Sequence, residues 1–143
     1  MYSSVWIVEP DRSRRVRVGE HATLDIELKG KVSTVIAEMK SFFEDEHGSM
    51  MCQCWLLYSN SQLAEHVPFF NPKEHAKRGF KKKNELVIGV HPHTFPVTIM
   101  RDKVRVRDNI DDAGDNCAGA SHFYRYEVNV HTKKVLALRT GCV

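Results

Sequence analysis

The chain of 143 residues carries a formal net charge of +3, with 42% apolar and 27% charged residues and a pI near 8.7. That balance is ordinary for a folded soluble domain and excludes an intrinsically disordered chain. No apolar run approaches a membrane span, and the charge excess is too small to establish a polyanionic partner by itself.

The length favours a single domain over residues 1–143, large enough to bury a core without staples. The N-terminal "MYSSVWIVEPDRSRR" has an apolar stretch of about four residues with no cationic segment before it, unlike a secretory leader. An intracellular, cytoplasmic location is therefore expected. Cys52 and Cys54 are too close in an extended run to bridge each other, and free thiols suit a reducing compartment.

Taken in chain order, "SVWIVEP" reads as a short strand closed by Pro10. "RRVRVGEHATLDIEL" reads as a hairpin with Val16, Val18, Leu24, Ile26 and Leu28 inward. It would pair Arg17 with Asp25 and Arg15 with Glu27 on the outer face, at about 0.2–1 kcal/mol per pair. In "GKVSTVIAEMKSFFEDEHG", Val32, Val35, Ile36, Met39, Phe42 and Phe43 recur at helical spacing. They predict one long amphipathic helix over about 31–47, with Gly48 as the residue after its last turn. Glu44, Asp45 and Glu46 fit that helix badly, because its C-terminal end prefers cations.

"SMMCQCWLLYS" is apolar on both sides and predicts a central strand. "SNSQLAEHV" starts a short helix capped by Ser59, Asn60 or Ser61. "NPKEHAKRG" starts another, with Asn71 as cap, Pro72 in the first turn and Gly79 as stop. "NELVIGVH" is a strand interrupted by Pro92 and Pro96, and "IMRDKVRVRD" is a further one. "DNIDDAGDNCAGAS" is loop by pattern. "HFYRYEVNVHTKKVLALRTG" closes the chain as a hairpin turning at Thr132–Lys133, pairing Val130 with Val135 and Val128 with Ala137. The expected fold is α+β: a mostly antiparallel sheet of about six to eight strands, the long helix packed across it, and one or two short helices.

Two constellations bear on function. At strand period Arg101, Lys103, Arg105 and Arg107 point one way, spanning on the order of 20 Å at 6.6–6.8 Å per pair of residues. Beside them in sequence stands "KEHAKRGFKKK", with Lys73, Lys77, Arg78, Lys81, Lys82 and Lys83 around Phe80. Cations for phosphate and a ring for a base make up a single-strand binding surface; the competing reading is a solvated face and an edge strand guarded by charge.

The second constellation is "GVHPHTF", where His91 and His93 sit at a spacing common among metal ligands. A third ligand would come from His122, or from Cys117, Asp115 or His131, to hold a divalent ion such as zinc. Cys-x-Cys is too short for the usual zinc hook. Cys117 lies after acids that raise rather than lower a thiol pKa. No nucleophile elbow, phosphate loop or calcium loop is present.

These residues point first to a small non-catalytic binding or accessory module without a cofactor. It would engage nucleic acid or an acidic protein surface, as an inhibitor or regulator of a nucleic-acid enzyme would. The alternatives are a metal-dependent enzyme built on His91 and His93, and a self-associating structural domain that forms a homodimer.

Overall fold

The computed structural model describes residues 2–8, 13–28, 30–59, 61–63, 85–108, 122–129 and 134–137. Among these described residues are ten strands: β1 (Ser4–Val8), β2 (Ser13–Arg17), β3 (His21–Leu28), β4 (Lys31–Glu44), β5 (Met50–Tyr58), β6 (Glu85–Pro96), β7 (Met100–Val104), β8 (Val106–Asp108), β9 (His122–Asn129) and β10 (Lys134–Ala137). A single 3-10 turn, Val97–Ile99, separates β6 from β7. Among the described residues no helix reaches seven residues, so the fold is β-rich and not α+β.

The long helix expected over 31–47 is instead the fourteen-residue strand β4. Val35, Ala37 and Met39 are fully buried at strand period, while Val32 is 69% exposed. The apolar residues match a helical stripe only by coincidence of spacing. The run Val32-Ser33-Thr34-Val35-Ile36 is β-branched at four of five positions, and such side chains suit a pleated surface. The burial phase slips once, because two residues stand between buried Met39 and buried Phe42. At that slip the backbone of Met39 turns to Gly19 and Glu20 at 2.8 and 2.9 Å, and Phe42 then receives the Tyr2 N–H at 3.0 Å.

The misfit acids also find their reason. Asp45 Oδ1 accepts from the His47 and Ser49 backbone N–H groups, each at 2.9 Å. With Gly48 at φ +79°, these close the tight turn from β4 into β5. An aspartate is suited to that task, since its side chain bonds the backbone two residues on.

The described chain forms two compact units. The first comprises Met1–Leu56 and Pro92–Val104; the second comprises Leu57–His91 and Arg105–Val143. In the first unit β1 and β2 form an antiparallel pair, with Trp6 opposite Arg15 and Val5 opposite Val16. Strands β5, β4, β3 and β7 follow in hydrogen-bonding order. Its core gathers Val5, Ile7, Val16, Leu24, Ile26, Val35, Phe42 and Met100. The hairpin expected between residues 14 and 28 does not form: β2 returns on β1, and β3 pairs with β4 and β7. Asp25 lies opposite Thr34 rather than Arg17.

In the second unit β9 is flanked by β10, antiparallel, and by β6, parallel, and β8 also runs parallel to β9. Leu86, Val87, Ile88 and Val128 are buried there. The terminal hairpin is present, but its register differs by two residues from the expected one: Val135 faces Val128, and Ala137 faces Tyr126. A two-residue shift keeps every side chain on its intended face, which is why alternation alone could not set it. The short helix after β5 begins as expected. The Ser59 hydroxyl receives the Gln62 N–H at 3.3 Å and Gln62 Oε1 receives the Ser59 N–H at 3.0 Å, a reciprocal cap. The helix expected over 71–79 and the loop 109–121 lie outside the described residues.

Candidate functional site

The strand reading of the segment after Ile99 gives alternating exposure. Arg101, Lys103 and Arg105 are exposed, whereas Asp102, Val104 and Val106 are half-buried. Of Arg107 only the backbone is described, at the centre of β8 opposite Phe123. Arg101 and Lys103 already face carboxylates of this chain. Arg101 Nε donates to Asp25 Oδ2 at 2.8 Å, and its Nη1 donates to the Thr98 carbonyl at 2.9 Å. Lys103 Nζ stands 2.7 Å from Glu20 Oε2.

Those pairs belong to how β7 is held on β3. Thr23 Oγ1 receives the Asp102 N–H at 3.0 Å, where the β3–β7 register shifts between Ala22 and Leu24. Arg14 reaches Asp102 at 3.5 Å from the neighbouring hairpin. Glu20 also accepts the Arg17 backbone N–H at 2.8 Å. Burial pushes the Glu20 carboxyl up, but the Lys103 bond, the Arg17 N–H and the two positive charges outweigh it and hold the group below the usual carboxylate range. Partly exposed pairs of this kind each contribute about 0.2–1 kcal/mol, so they fix orientation more than stability.

The basic cluster Lys73, Lys77, Arg78, Lys81, Lys82 and Lys83, with Phe80, lies outside the described residues. Its charge still bears on the balance between the units. The first unit holds nine lysines and arginines against ten aspartates and glutamates; the second holds twelve against eight. The basic excess of the chain therefore belongs entirely to the second unit.

Of the expected metal ligands, the side chains of His91 and His93 are described. His91 and His93 are half-buried, and the His93 ring stacks on Phe95 at 5.9 Å between centroids, 6° from parallel. The parallel register sets Glu85 beside Phe123, so His122 neighbours the start of β6. His91 lies six residues further along, roughly 20 Å at about 3.3 Å per residue. Ligands must converge within a few ångströms of one ion; the His122 side chain lies outside the described residues. Among the described residues no three His, Cys, Asp or Glu side chains form such a group.

Cys52 and Cys54 are fully buried free thiols on one face of β5. A hydrogen bond from Cys54, then the Phe95 backbone, holds Cys52 below the usual thiol range against the opposing effect of burial. The same bond, with burial, pushes Cys54 up. With no exposed sulfur, neither is placed to meet a substrate.

Sequence reasoning missed the apolar surface of the first unit. Trp6 is 59% and Val8 77% exposed, on the outer face of the β1–β2 hairpin. The Arg15 guanidinium lies 5.9 Å from the Trp6 ring centre. A groove of about 540 Å³ opens beside them, lined by Trp6, Val8, Met50, Pro96, Val97 and Arg101 among others. "VWIV" carried the signal: all four residues are apolar, yet a two-stranded hairpin buries only one face, so Trp6 and Val8 had to emerge.

No family model matches the sequence, and no curated protein does. Among solved structures, the crystal structure of the yeast Rsc2 BAH domain superimposes with a TM-score of 0.61 at 14% identity, covering 94% of this chain. The chain spans about half of that structure, 54% of its length. At this identity the likeness establishes the fold alone. No helix among the described residues is long and apolar enough to cross a membrane.

Proposed function

We propose that this chain is a non-catalytic binding module for an anionic chromatin partner, contacted mainly by the second unit. The observation that carries the reading is the BAH-like fold over 94% of the chain, a fold of chromatin and protein-binding modules. The charge division supports it, since four net positive charges fall in the second unit. Lys73, Lys77, Arg78, Lys81, Lys82 and Lys83 with Phe80, together with Arg105 and Arg107, supply the contact. Arg101 and Lys103, engaged by Asp25 and Glu20, belong to the first unit and take a lesser part because that unit carries no basic excess. A chromatin partner places the protein in the nucleus rather than the cytoplasm. Both nucleic acid and an acidic protein surface fit this chemistry, and a nucleosome offers both.

The test is fluorescence anisotropy with labelled duplex DNA and with reconstituted nucleosomes. Binding to either that weakens steeply with salt supports the reading. Tighter binding to nucleosomes than to DNA at equal salt assigns part of the contact to protein. No binding to either at low salt overturns it.

A further inference from the structure

Among the described residues, the groove beside Trp6 has a lining of a single electrostatic sign. There its one charged residue is Arg101; Ser49 and Thr98 are its polar members, and the rest are apolar. Arg101 also lines a second groove of about 590 Å³, with Val32, Phe95 and Ile99 and with the carboxylates Asp25 and Glu27. It therefore stands between an apolar groove on one side and an acidic one on the other, and the apolar side is the one open to an incoming carboxylate. All these residues belong to the first unit.

Arg101 is oriented before any ligand arrives. Of the five N–H donors of a guanidinium, Nε–H is fixed by Asp25 and one Nη1–H by the Thr98 carbonyl. The second Nη1 hydrogen and both Nη2 hydrogens have no partner among the described residues. The side chain is 52% exposed. A guanidinium held at one edge and open at the other presents the fork that matches a carboxylate. Arg15, over the exposed Trp6 ring, adds a second positive group at the rim.

We propose that this face docks a linear segment of a partner protein that carries a bulky apolar side chain flanked by aspartates or glutamates. The apolar side chain enters the groove beside Trp6 and Val97, and the neighbouring carboxylate meets the open edge of Arg101. The volume suits a few side chains rather than a folded element. An exposed tryptophan and an oriented arginine are the residue types that most often dominate a small interface. Apart from Arg101, the site uses no residue of the proposed anion contact, and the proposal does not rest on that contact.

The experiment titrates the purified chain with two synthetic peptides, a Phe-Leu pair flanked by glutamates and the same pair flanked by lysines. Calorimetry reports binding, and tryptophan emission, to which Trp55 also contributes, is compared between wild type and Trp6→Ala. The glutamate peptide should bind and shift the emission to the blue. Trp6→Ala and Arg101→Gln should each weaken it tenfold or more, with the thermal midpoint measured to confirm folding. Val8→Glu, at a position too exposed to affect folding, should weaken the glutamate peptide by a similar factor. Reversing Lys81, Lys82 and Lys83 to glutamate should leave peptide affinity within twofold, which separates this site from nucleosome binding. The proposal is overturned if the lysine peptide binds more tightly, or if Trp6→Ala leaves peptide affinity unchanged. It is equally overturned if Trp6→Ala abolishes binding of a single-stranded oligonucleotide while the glutamate peptide never binds, or if it only converts a dimer to a monomer.

Discussion

At the scale of single residues, the charged side chains of β7 show how a pattern legible in sequence acquires a different partner in space. The alternation of Arg101, Lys103 and Arg105 with half-buried neighbours follows directly from strand geometry. What alternation cannot supply is the identity of the neighbouring strand. Local pattern pairs Asp25 with Arg17 across a hairpin, yet Asp25 meets Arg101, seventy-six positions away. The Glu20–Lys103 pair gives a testable pH effect. Glu20 is held below its usual value in the fold, so its contribution is present above the unfolded value near 4.5 and is lost as pH falls through the folded one. Wild type should lose stability toward acid pH more steeply than Glu20→Gln, and the two should converge in strong acid; denaturant midpoints between pH 2 and 7 measure this. Tyr2 behaves with the opposite sign. Its hydroxyl donates to Glu44 Oε1 at 2.6 Å, and that bond, then the Glu44 charge, pushes the phenol up. Ultraviolet titration should show one tyrosine ionising later in wild type than in Glu44→Gln.

At the scale of elements, short segments were read more securely than the longest one. The strands at 4–8, 50–58 and 85–91 are visible because short apolar runs, turn residues and length agree. In β4 two periods competed. Spacing favoured a helix, and the β-branched run favoured a strand. The surplus of acid at its end is the local mark against a helix, because Asp45 belongs to a turn. The two readings differ at chosen positions. On a helix Val32 shares the buried stripe with Met39; on β4 Val32 is exposed, and Ala37 is fully buried. Val32→Asp should therefore change stability by no more than about 0.5 kcal/mol, and Ala37→Leu should cost about 1–3 kcal/mol through overpacking. Chemical denaturation of both variants checks this, and the helical arrangement requires the reverse order. Parallel pairing of β9 with β6 and β8 was out of reach of the sequence, since long-range pairing leaves no local mark.

At the scale of the whole molecule, overall charge concealed more than it disclosed. A net +3 divides into a first unit with one acid in excess and a second with four bases in excess. That division depends on which segments fold together, which no composition count contains. The basic 73–83 segment was legible as a candidate contact from its residues alone; its separation from Arg101 and Lys103 into different units was not. Nor was the groove under Trp6, which needs β1, β5, β6 and β7 brought side by side.

The most direct measurement is the salt dependence of DNA or nucleosome binding for wild type and for the variant with Lys81, Lys82 and Lys83 all changed to glutamate. If these lysines contact phosphates, the slope of log affinity against log salt should flatten by about 0.9 for each contact removed, near 3 in all for duplex DNA, with the thermal midpoint unchanged. An unchanged slope and affinity in a folded variant would contradict the anionic-partner account.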